Sequence, residues 1–365
     1  MRPQLPTAAR IAPYLEEIDA SRWYSNFGPL AGRFEERLSS QFGSGAGSVL
    51  AVANGTLGLT LALQAAAALP GDLCMLPAFT FSASASAVMA AGLTPWFVDV
   101  DPGSWALEPA LARDCLPNAP GRVAAVMPVS VFGRPVDVAA WDEFSLETGI
   151  PAVIDGAASF DAARVGQSPV MISLHGTKVF GVGEGGLILS RNKALISQIR
   201  SLSSFGFPLD PAKKTEPRAA LLPGLNAKFS EYCAAVGLAG LEDWPATRQR
   251  FLDVRDAYYA ILENIPELQP QPGGLEPWVS ATINFAVPDV SARTLIAALA
   301  QRGIAARRWW GDGCATAPAF DSCPRTALPV TEGLTDSVIG LPFYIDMTRD
   351  DIHRVKTAVI AALRG

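Results

Sequence analysis

Asp155-Gly156-Ala157-Ala158, Ser173-Leu174-His175-Gly176-Thr177-Lys178 and Gly181-Val182-Gly183-Glu184-Gly185-Gly186 form the stretch whose reading decides the fold of this chain. The apolar run Pro151 to Ile154 leads into Asp155 and reads as a buried strand with a carboxylate at its C-terminal end. Open α/β sheets place their functional groups there. A second apolar run, Val170-Met171-Ile172, leads to Ser173 and Lys178. A lysine among small, apolar and glycine residues loses solvation. Its pKa then falls and its amine becomes a nucleophile for a carbonyl.

Most lysines are solvated surface groups, so Lys178 must be set against the others. The chain has six lysines. Lys193 lies in a charged turn, Lys213 and Lys214 in a polar loop, Lys228 near a helix start and Lys356 on a terminal helix. Only Lys178 has a strand-end acid upstream, a serine shortly before it and a glycine-rich turn after it. That turn formally matches G-x-G-x-x-G at Gly181, Gly183 and Gly186. A dinucleotide fingerprint needs a helix to follow, and here Leu187-Ile188-Leu189 follows, which reads as a strand. The nicotinamide reading is rejected on that context.

Ser-x-His-x-Thr-Lys followed by Gly-Glu-Gly-Gly, with Asp155 on the upstream strand, resembles the DegT/DnrJ/EryC1/StrS sugar aminotransferases, and the resemblance extends over nearly the whole chain. It implies a pyridoxal-phosphate enzyme of the aspartate-aminotransferase fold. The fold class is then α/β: a large domain with a mixed, mostly parallel sheet of seven-stranded type between helices, plus a smaller C-terminal α+β domain. The expected division is an arm over 1–30, the cofactor-binding domain over 31–243, and a bridging helix with the small domain over 244–365.

Composition is consistent with this. A length of 365 residues suits two domains. The chain is 49% apolar and 18% charged, which says globular rather than disordered. Its net charge of -6 gives no basic footprint for nucleic acid. No uninterrupted apolar run reaches the length of about 18 residues that a spanning helix needs, and the start Met1-Arg2-Pro3-Gln4 lacks the apolar core of a signal peptide. Five scattered cysteines and two histidines show no metal-ligand spacing. Free thiols in a reducing cytoplasm are the simple reading.

Along the chain, helices are expected over Ala8 to Ile18, Gly32 to Phe42, Leu57 to Leu69, Thr80 to Ala91, Trp141 to Glu147, Ala194 to Ser204, Ser291 to Arg302 and Arg349 to Leu363. A long helix is expected to begin at Gly224 to Glu231, and a second to run from Trp244 to Ile265. Strands are expected over Val49 to Ala53, Leu73 to Pro77, Pro95 to Asp101, Arg122 to Phe132, Ala281 to Val287 and Ile304 to Trp309. Pro208 to Pro217 reads as a mobile loop and Leu268 to Pro277 as another loop.

The turn Asn54-Gly55-Thr56 between a strand and a helix is a ready anion site, or else an ordinary N-cap at Thr56. The resemblance favours the first, because the family's phosphate-binding turn falls here. It also implies that Phe81 stacks on the pyridine ring. Gly224-Leu225-Asn226-Ala227-Lys228-Phe229-Ser230-Glu231 resembles the family's Gly-x-Asn-x-Arg-x-Ser-Glu, in which the Asn reaches the cofactor phosphate of the neighbouring subunit.

The cofactor's needs can thus be matched. Lys178 forms the internal imine, and Asp155 keeps the pyridine nitrogen protonated. Gly55, Thr56 and Ser173 hold the phosphate, Phe81 covers the ring face, and Asn226 closes the site from a second subunit.

Four positions and one segment depart from the family: Ser130 and Phe132 replace a usual His and Tyr, Ala158 replaces a Gln, Lys228 replaces an Arg, and Trp309 to Cys314 replaces a His-bearing pocket segment. The expected activity is transfer of an amino group, with glutamate as donor, to a nucleotide-linked keto sugar. The products would be amino sugars of lipopolysaccharide or of natural products, made by a cytoplasmic homodimer with shared sites. The alternatives are a pyridoxal-phosphate sugar dehydratase, whose known members carry His in place of Lys178, and a non-catalytic binding or regulatory relative.

Overall fold

The computed structural model describes residues 2–66, 70–208 and 219–364. Positions 67–69 of the expected third helix, and almost all of the expected loop Pro208 to Pro217, lie outside the described residues.

Seven strands carry the first two-thirds of the chain: β1 (Val49–Val52), β2 (Leu73–Pro77), β3 (Thr94–Val98), β4 (Val123–Val126), β5 (Ile154–Asp155), β6 (Val170–Ser173) and β7 (Gly186–Leu189). The ladders give the orders β3-β2-β4 and β5-β6-β7-β1. Parallel bridges Val126↔Ala152 and Val129↔Asp155 join β4 to β5, so the seven form one continuous sheet. Only β7 runs against the others.

Between and after the strands come α1 (Ala8–Ser21), α2 (Pro29–Gln41), α3 (Gly55–Ala65), α4 (Ser82–Ala90), α5 (Pro109–Cys115), α6 (Val138–Thr148), α7 (Lys193–Leu202) and α8 (Glu231–Leu262). Away from their ends the strands are apolar on both faces, because both faces are covered. In β1, Val49 and Ala51 enter the core built on α2, α6 and α8, while Leu50 and Val52 enter the one built on α3, α4 and α7. Residues of β6 and β7 alternate in the same way.

The C-terminal part is a three-stranded antiparallel sheet, β8 (Gln269–Pro270), β9 (Ile283–Ala286) and β10 (Val338–Leu341), with α9 (Ala292–Gln301), α10 (Pro329–Ser337) and α11 (Arg349–Arg364). Several contacts tie it to the large sheet. Arg325 bridges Phe97 along β3, and the Asp99 carboxylate accepts from the N–H groups of Val330 and Thr331 at 2.9 and 2.8 Å. Asp99 therefore caps α10 across a separation of over two hundred residues. At α11 a reciprocal cap forms: Thr348 N–H donates to Asp351, and Asp351 N–H donates to the Thr348 hydroxyl, both at 3.1 Å.

Several expected elements differ. The helices expected to begin at Gly224 to Glu231 and at Trp244 are one helix, α8, with Pro245 inside it. Trp-Pro imitates the first turn of a helix, where proline is preferred. Here the Trp244 side chain is buried against Phe160 and Phe180, and that packing carries the helix through. The expected strand Ile304 to Trp309 forms only the single bridge Arg307↔Gly340. The expected strand Arg122 to Phe132 ends as regular structure at Val126. The chain then turns at Val131–Gly133, where Phe132 has φ 50. Helix α3 begins two residues early, and its N-cap is Asn54, whose side chain accepts from Leu57 N–H at 2.9 Å. Thr56 is therefore not the cap.

One buried carboxylate fixes the entry of the chain. Glu231, 1% exposed, accepts from Leu30 N–H at 2.7 Å and Ala31 N–H at 2.9 Å, the free donors at the start of α2. Gly28 is required beside it, because a Cβ there would stand 2.6 Å from the Glu231 carboxyl carbon. Glu231→Ala should lower unfolding stability by about 2 kcal/mol, the cost of leaving buried donors unmet. A urea midpoint equal to wild type would contradict this.

Candidate active site

Asp155 lies at the sheet's centre, at the C-terminal end of β5. Its backbone is held by the segment that follows β4: Asp155 N–H donates to Pro128 O at 2.9 Å, and Ser130 N–H donates to Asp155 O at 2.8 Å. The carboxylate is 5% exposed. Ser84 Oγ donates to Oδ2 at 2.6 Å, and Ala157 N–H donates to Oδ1 at 3.1 Å. Burial pushes the carboxyl above its ordinary pKa, while Ser84, Ala157 and the Lys178 charge oppose that rise.

Lys178 stands on a loop closed like a hairpin. Leu174 N–H donates to Gly185 O at 2.9 Å, Val182 N–H to Leu174 O at 2.8 Å and Gly176 N–H to Gly183 O at 2.8 Å. The glycines that imitated a dinucleotide fingerprint have separate causes: Gly183 has φ 97, and the other two stand at close approaches of backbone. A Cβ on Gly181 would stand 2.9 Å from Gly176 Cα, and one on Gly186 2.9 Å from the Asn54 carbonyl carbon. Loss of solvation lowers the Lys178 pKa, and Asp155 partly restores it. The two groups thus bias one another through space.

Gly55 and Ser173 meet directly. A Cβ on Gly55 would be 3.4 Å from Ser173 Cβ and 2.9 Å from Met171 Sδ. Gly55 and Thr56 are the first residues of α3, whose leading N–H groups have no partner within the helix. Phe81 precedes α4, three residues before Ser84, and 57% of it is exposed. The set Gly55, Thr56, Phe81, Asp155, Ser173 and Lys178 thus lies along the C-terminal edge of the sheet.

Asn226 lies on a segment that runs beside the end of β1, where Lys228 bridges Val52 and Ala53 N–H donates to Ala227 O at 2.9 Å. Asn226 bridges Ser204, and its Oδ1 accepts from Lys228 Nζ at 2.5 Å. Since the oxygen is engaged, the amide N–H groups are the free end of an exposed side chain. Lys228 itself lies over the Phe205 ring, with Nζ 4.6 Å from the centroid. The replacement of the family Arg by Lys228 therefore keeps a cation beside Asn226.

Two partners of Asp155 were not read from the sequence, Ser84 and, behind it, Thr80, which lies 2.8 Å from Ser84 Oγ. Their spacing of four along a helix start was the only local signal. A further link is aromatic: Phe160, five residues after Asp155, stacks on Phe180, two after Lys178, at 4.2 Å and 6°. A cleft of about 510 Å³, lined by Arg164, Arg191, Trp244 and Arg248 among others, lies elsewhere, beside the C-terminal end of α2.

Comparison with known proteins agrees with this geometry. Residues 7–360 match the model of the DegT/DnrJ/EryC1/StrS aminotransferase family, and the chain belongs to that family. The Mycobacterium tuberculosis protein Rv3402c is 30% identical, over all of this chain and 90% of its own length. A Bacillus cereus ATCC 10987 protein described as a PLP-dependent aminotransferase superposes with TM-score 0.89 at 28% identity, covering 99% of this chain and 98% of its own. DesI, solved with its TDP-sugar product, gives 0.86 at 29%, covering 100% of this chain and 92% of its own.

The chain is a pyridoxal-phosphate-dependent aminotransferase of fold type I. The residues present fit that cofactor. A buried carboxylate with lone pairs to spare suits a pyridinium N–H, a glycine at the start of α3 leaves room beside Ser173, and an exposed ring offers a stacking face.

In the cofactor-free protein, Lys178 should titrate below the usual lysine value of 10.5. Asp155→Asn should move it lower still, because the carboxylate is the group that raises it. Acylation rates against pH, read by mass spectrometry, would show this. A Lys178 that titrates with the other lysines would refute it.

Proposed function

We propose that this aminotransferase moves an amino group from an amino acid, glutamate in the first instance, to a nucleotide-linked keto sugar in amino-sugar biosynthesis. The observation that carries the reading is the pairing of Lys178 and Asp155 through space at the C-terminal edge of the sheet, beside the Gly55–Ser173 cradle. The likeness to DesI, whose structure holds a TDP-sugar product, supports the substrate class.

In this reading Lys178 would hold the cofactor covalently through Nζ. Once an amino-acid donor displaces it, the freed amine carries the proton away from the donor Cα and returns it on the acceptor side. Its lowered pKa leaves more of the amine unprotonated than an ordinary solvated lysine would have. Asp155 would hold the pyridinium proton, and Ser84 and Ala157 keep its carboxylate aimed and ionised. The first N–H groups of α3, with Thr56 and the Ser173 hydroxyl, would anchor the phosphate. When bound, pyridoxal phosphate supplies the electron sink for the negative charge that forms at the donor Cα. The acceptor side differs from the family pattern at Ala158, Phe132 and Trp310. Phe132 and Trp310 stack on each other at 4.2 Å, so an apolar wall stands where relatives carry polar groups.

The working unit is a homodimer with shared sites, placed in the cytoplasm, where Cys74, Cys115, Cys233, Cys314 and Cys323 remain free thiols. Among the described residues no helix is long and apolar enough to cross a membrane. Support for the dimer comes from the large apolar side chains left exposed near Asn226 and near the start of α8. Trp23 is 49% exposed, Phe205 46%, Leu221 65% and Tyr232 49%. Isolated exposed apolar residues are ordinary, but several together mark an interface. Asn226, with its amide N–H groups outward, would then reach the phosphate held by the other subunit.

Two tests follow. Borohydride should fix the cofactor to the peptide containing Lys178. Fixation at another lysine would overturn the assignment, and spectra recorded with glutamate against other amino acids would identify the donor. Separately, Lys178→Ala chains mixed with Asn226→Ala chains should regain activity, since one hybrid pocket carries neither defect. Random exchange makes about one quarter of pockets intact. No recovery despite proven subunit exchange, or a monomer by sedimentation, would exclude shared sites.

A further inference from the structure

A carboxylate that must accept a proton from a ring nitrogen has to stay ionised, and burial works against that. Among the described residues, Asp155 has neither an arginine nor a histidine as a contact. Its contacts are one hydroxyl, one peptide N–H and the charge of Lys178. Lys178 cannot serve steadily, because in the proposed reaction its amine is bonded to the cofactor at rest and neutral or protonated in turn afterwards. A fixed donor set is needed, and the α4 entrance supplies it.

Ser84 Oγ is 2.6 Å from Asp155 Oδ2 and 2.8 Å from Thr80 Oγ1. Ser84 is 0% exposed and Thr80 1%. A serine hydroxyl has one proton, and an ionised carboxylate can only accept. Ser84 therefore donates to Asp155, and Thr80 is the donor to Ser84. The direction of the chain follows from the charge at its end: Thr80 to Ser84 to Asp155. A hydroxyl that accepts a hydrogen bond becomes a better donor, so the outer member strengthens the inner one. The position of the chain is fixed from both ends of the molecule. Thr80 N–H donates to Ala78 O at 3.1 Å, and Cys314 N–H, from the C-terminal part, donates to the same oxygen at 2.9 Å.

We infer that Thr80 and Ser84 form a two-hydroxyl relay that holds Asp155 ionised and aimed, and so sets the protonation of the cofactor's pyridine nitrogen. The inference rests on reading Asp155 as the partner of that nitrogen. Thr80 and Ser84 are positioning residues, since they act through Asp155. Without Ser84 the carboxylate becomes more basic and draws the proton from the ring nitrogen onto itself. The ring then loses its pull on electrons.

The test uses the full chain reconstituted with pyridoxal phosphate labelled with ¹⁵N in the ring. In the wild type the ¹⁵N resonance should lie at the pyridinium position. Ser84→Ala should move it toward neutral pyridine and slow the single-turnover reaction with the amino-acid donor about tenfold, the loss expected for one hydrogen bond to a charge. Thr80→Val, which keeps shape and removes the donor, should move it the same way with a loss of about threefold, and Thr80→Ser should restore both. Asp155→Ala is the control. If it changes the resonance while Ser84→Ala and Thr80→Val do not, the relay is wrong and the role of Asp155 stands. A shift with Ser84→Ala alone would remove Thr80 from the relay and overturn the two-hydroxyl inference. If Asp155→Ala itself leaves the resonance unchanged, the reading of Asp155 falls and the relay with it.

Discussion

A carboxylate buried at the end of a strand is costly unless donors surround it, and the site is organised around that requirement at Asp155. Strand β5 is only two residues long, yet it is held by β4 on one side and β6 on the other. Side-chain help arrives from α4 through Ser84, and charge arrives from Lys178. Burial pushes Asp155 toward its neutral form and Lys178 toward its neutral form as well. Each charge then opposes the loss of the other. A site poised in this way suits a reaction that moves protons.

Aromatic packing keeps that geometry. Phe160 and Phe180 follow Asp155 and Lys178 closely in sequence and stack face to face, with Trp244 of α8 set edge-on against both. The loops that carry the two functional groups therefore share one rigid apolar anchor on the far side of the sheet. Helix α8 takes part at two points: its middle supports the aromatic stack, and its first residue, Glu231, holds the start of α2. Its N-terminal turn also follows directly on Asn226 and Lys228. One helix thus couples the chain's entry segment, the large sheet and the C-terminal part.

The sequence alone determined a good deal. The strand ending in Asp155, the strand leading to Ser173, the loop bearing Lys178 and the turn at Gly55 were all legible. Their signals are local: apolar runs of strand length, a short spacing from serine to lysine, and glycines where side chains would collide. The sheet class was legible for the same reason, since strands buried on both faces read as near-continuous apolar runs. The rejection of a dinucleotide motif rested on what followed it, and Gly186–Leu189 is indeed a strand.

Tertiary structure decided what depended on partners distant in sequence. Proline at position 245 reads locally as a helix start, but a buried tryptophan beside it keeps α8 whole. Residues 304 to 309 have the apolar content of a strand but meet a partner strand at one residue only. Asp99 looks like part of a strand-end motif, and only the fold shows that it caps α10. The hydroxyls of Thr80 and Ser84 are unremarkable in a small-residue helix start until the fold sets them against a carboxylate 71 residues away from Ser84. Secondary structure follows from short-range propensity and from which faces are buried. The charge state of a buried group follows from every donor that surrounds it, and those donors are assembled only when the chain has folded.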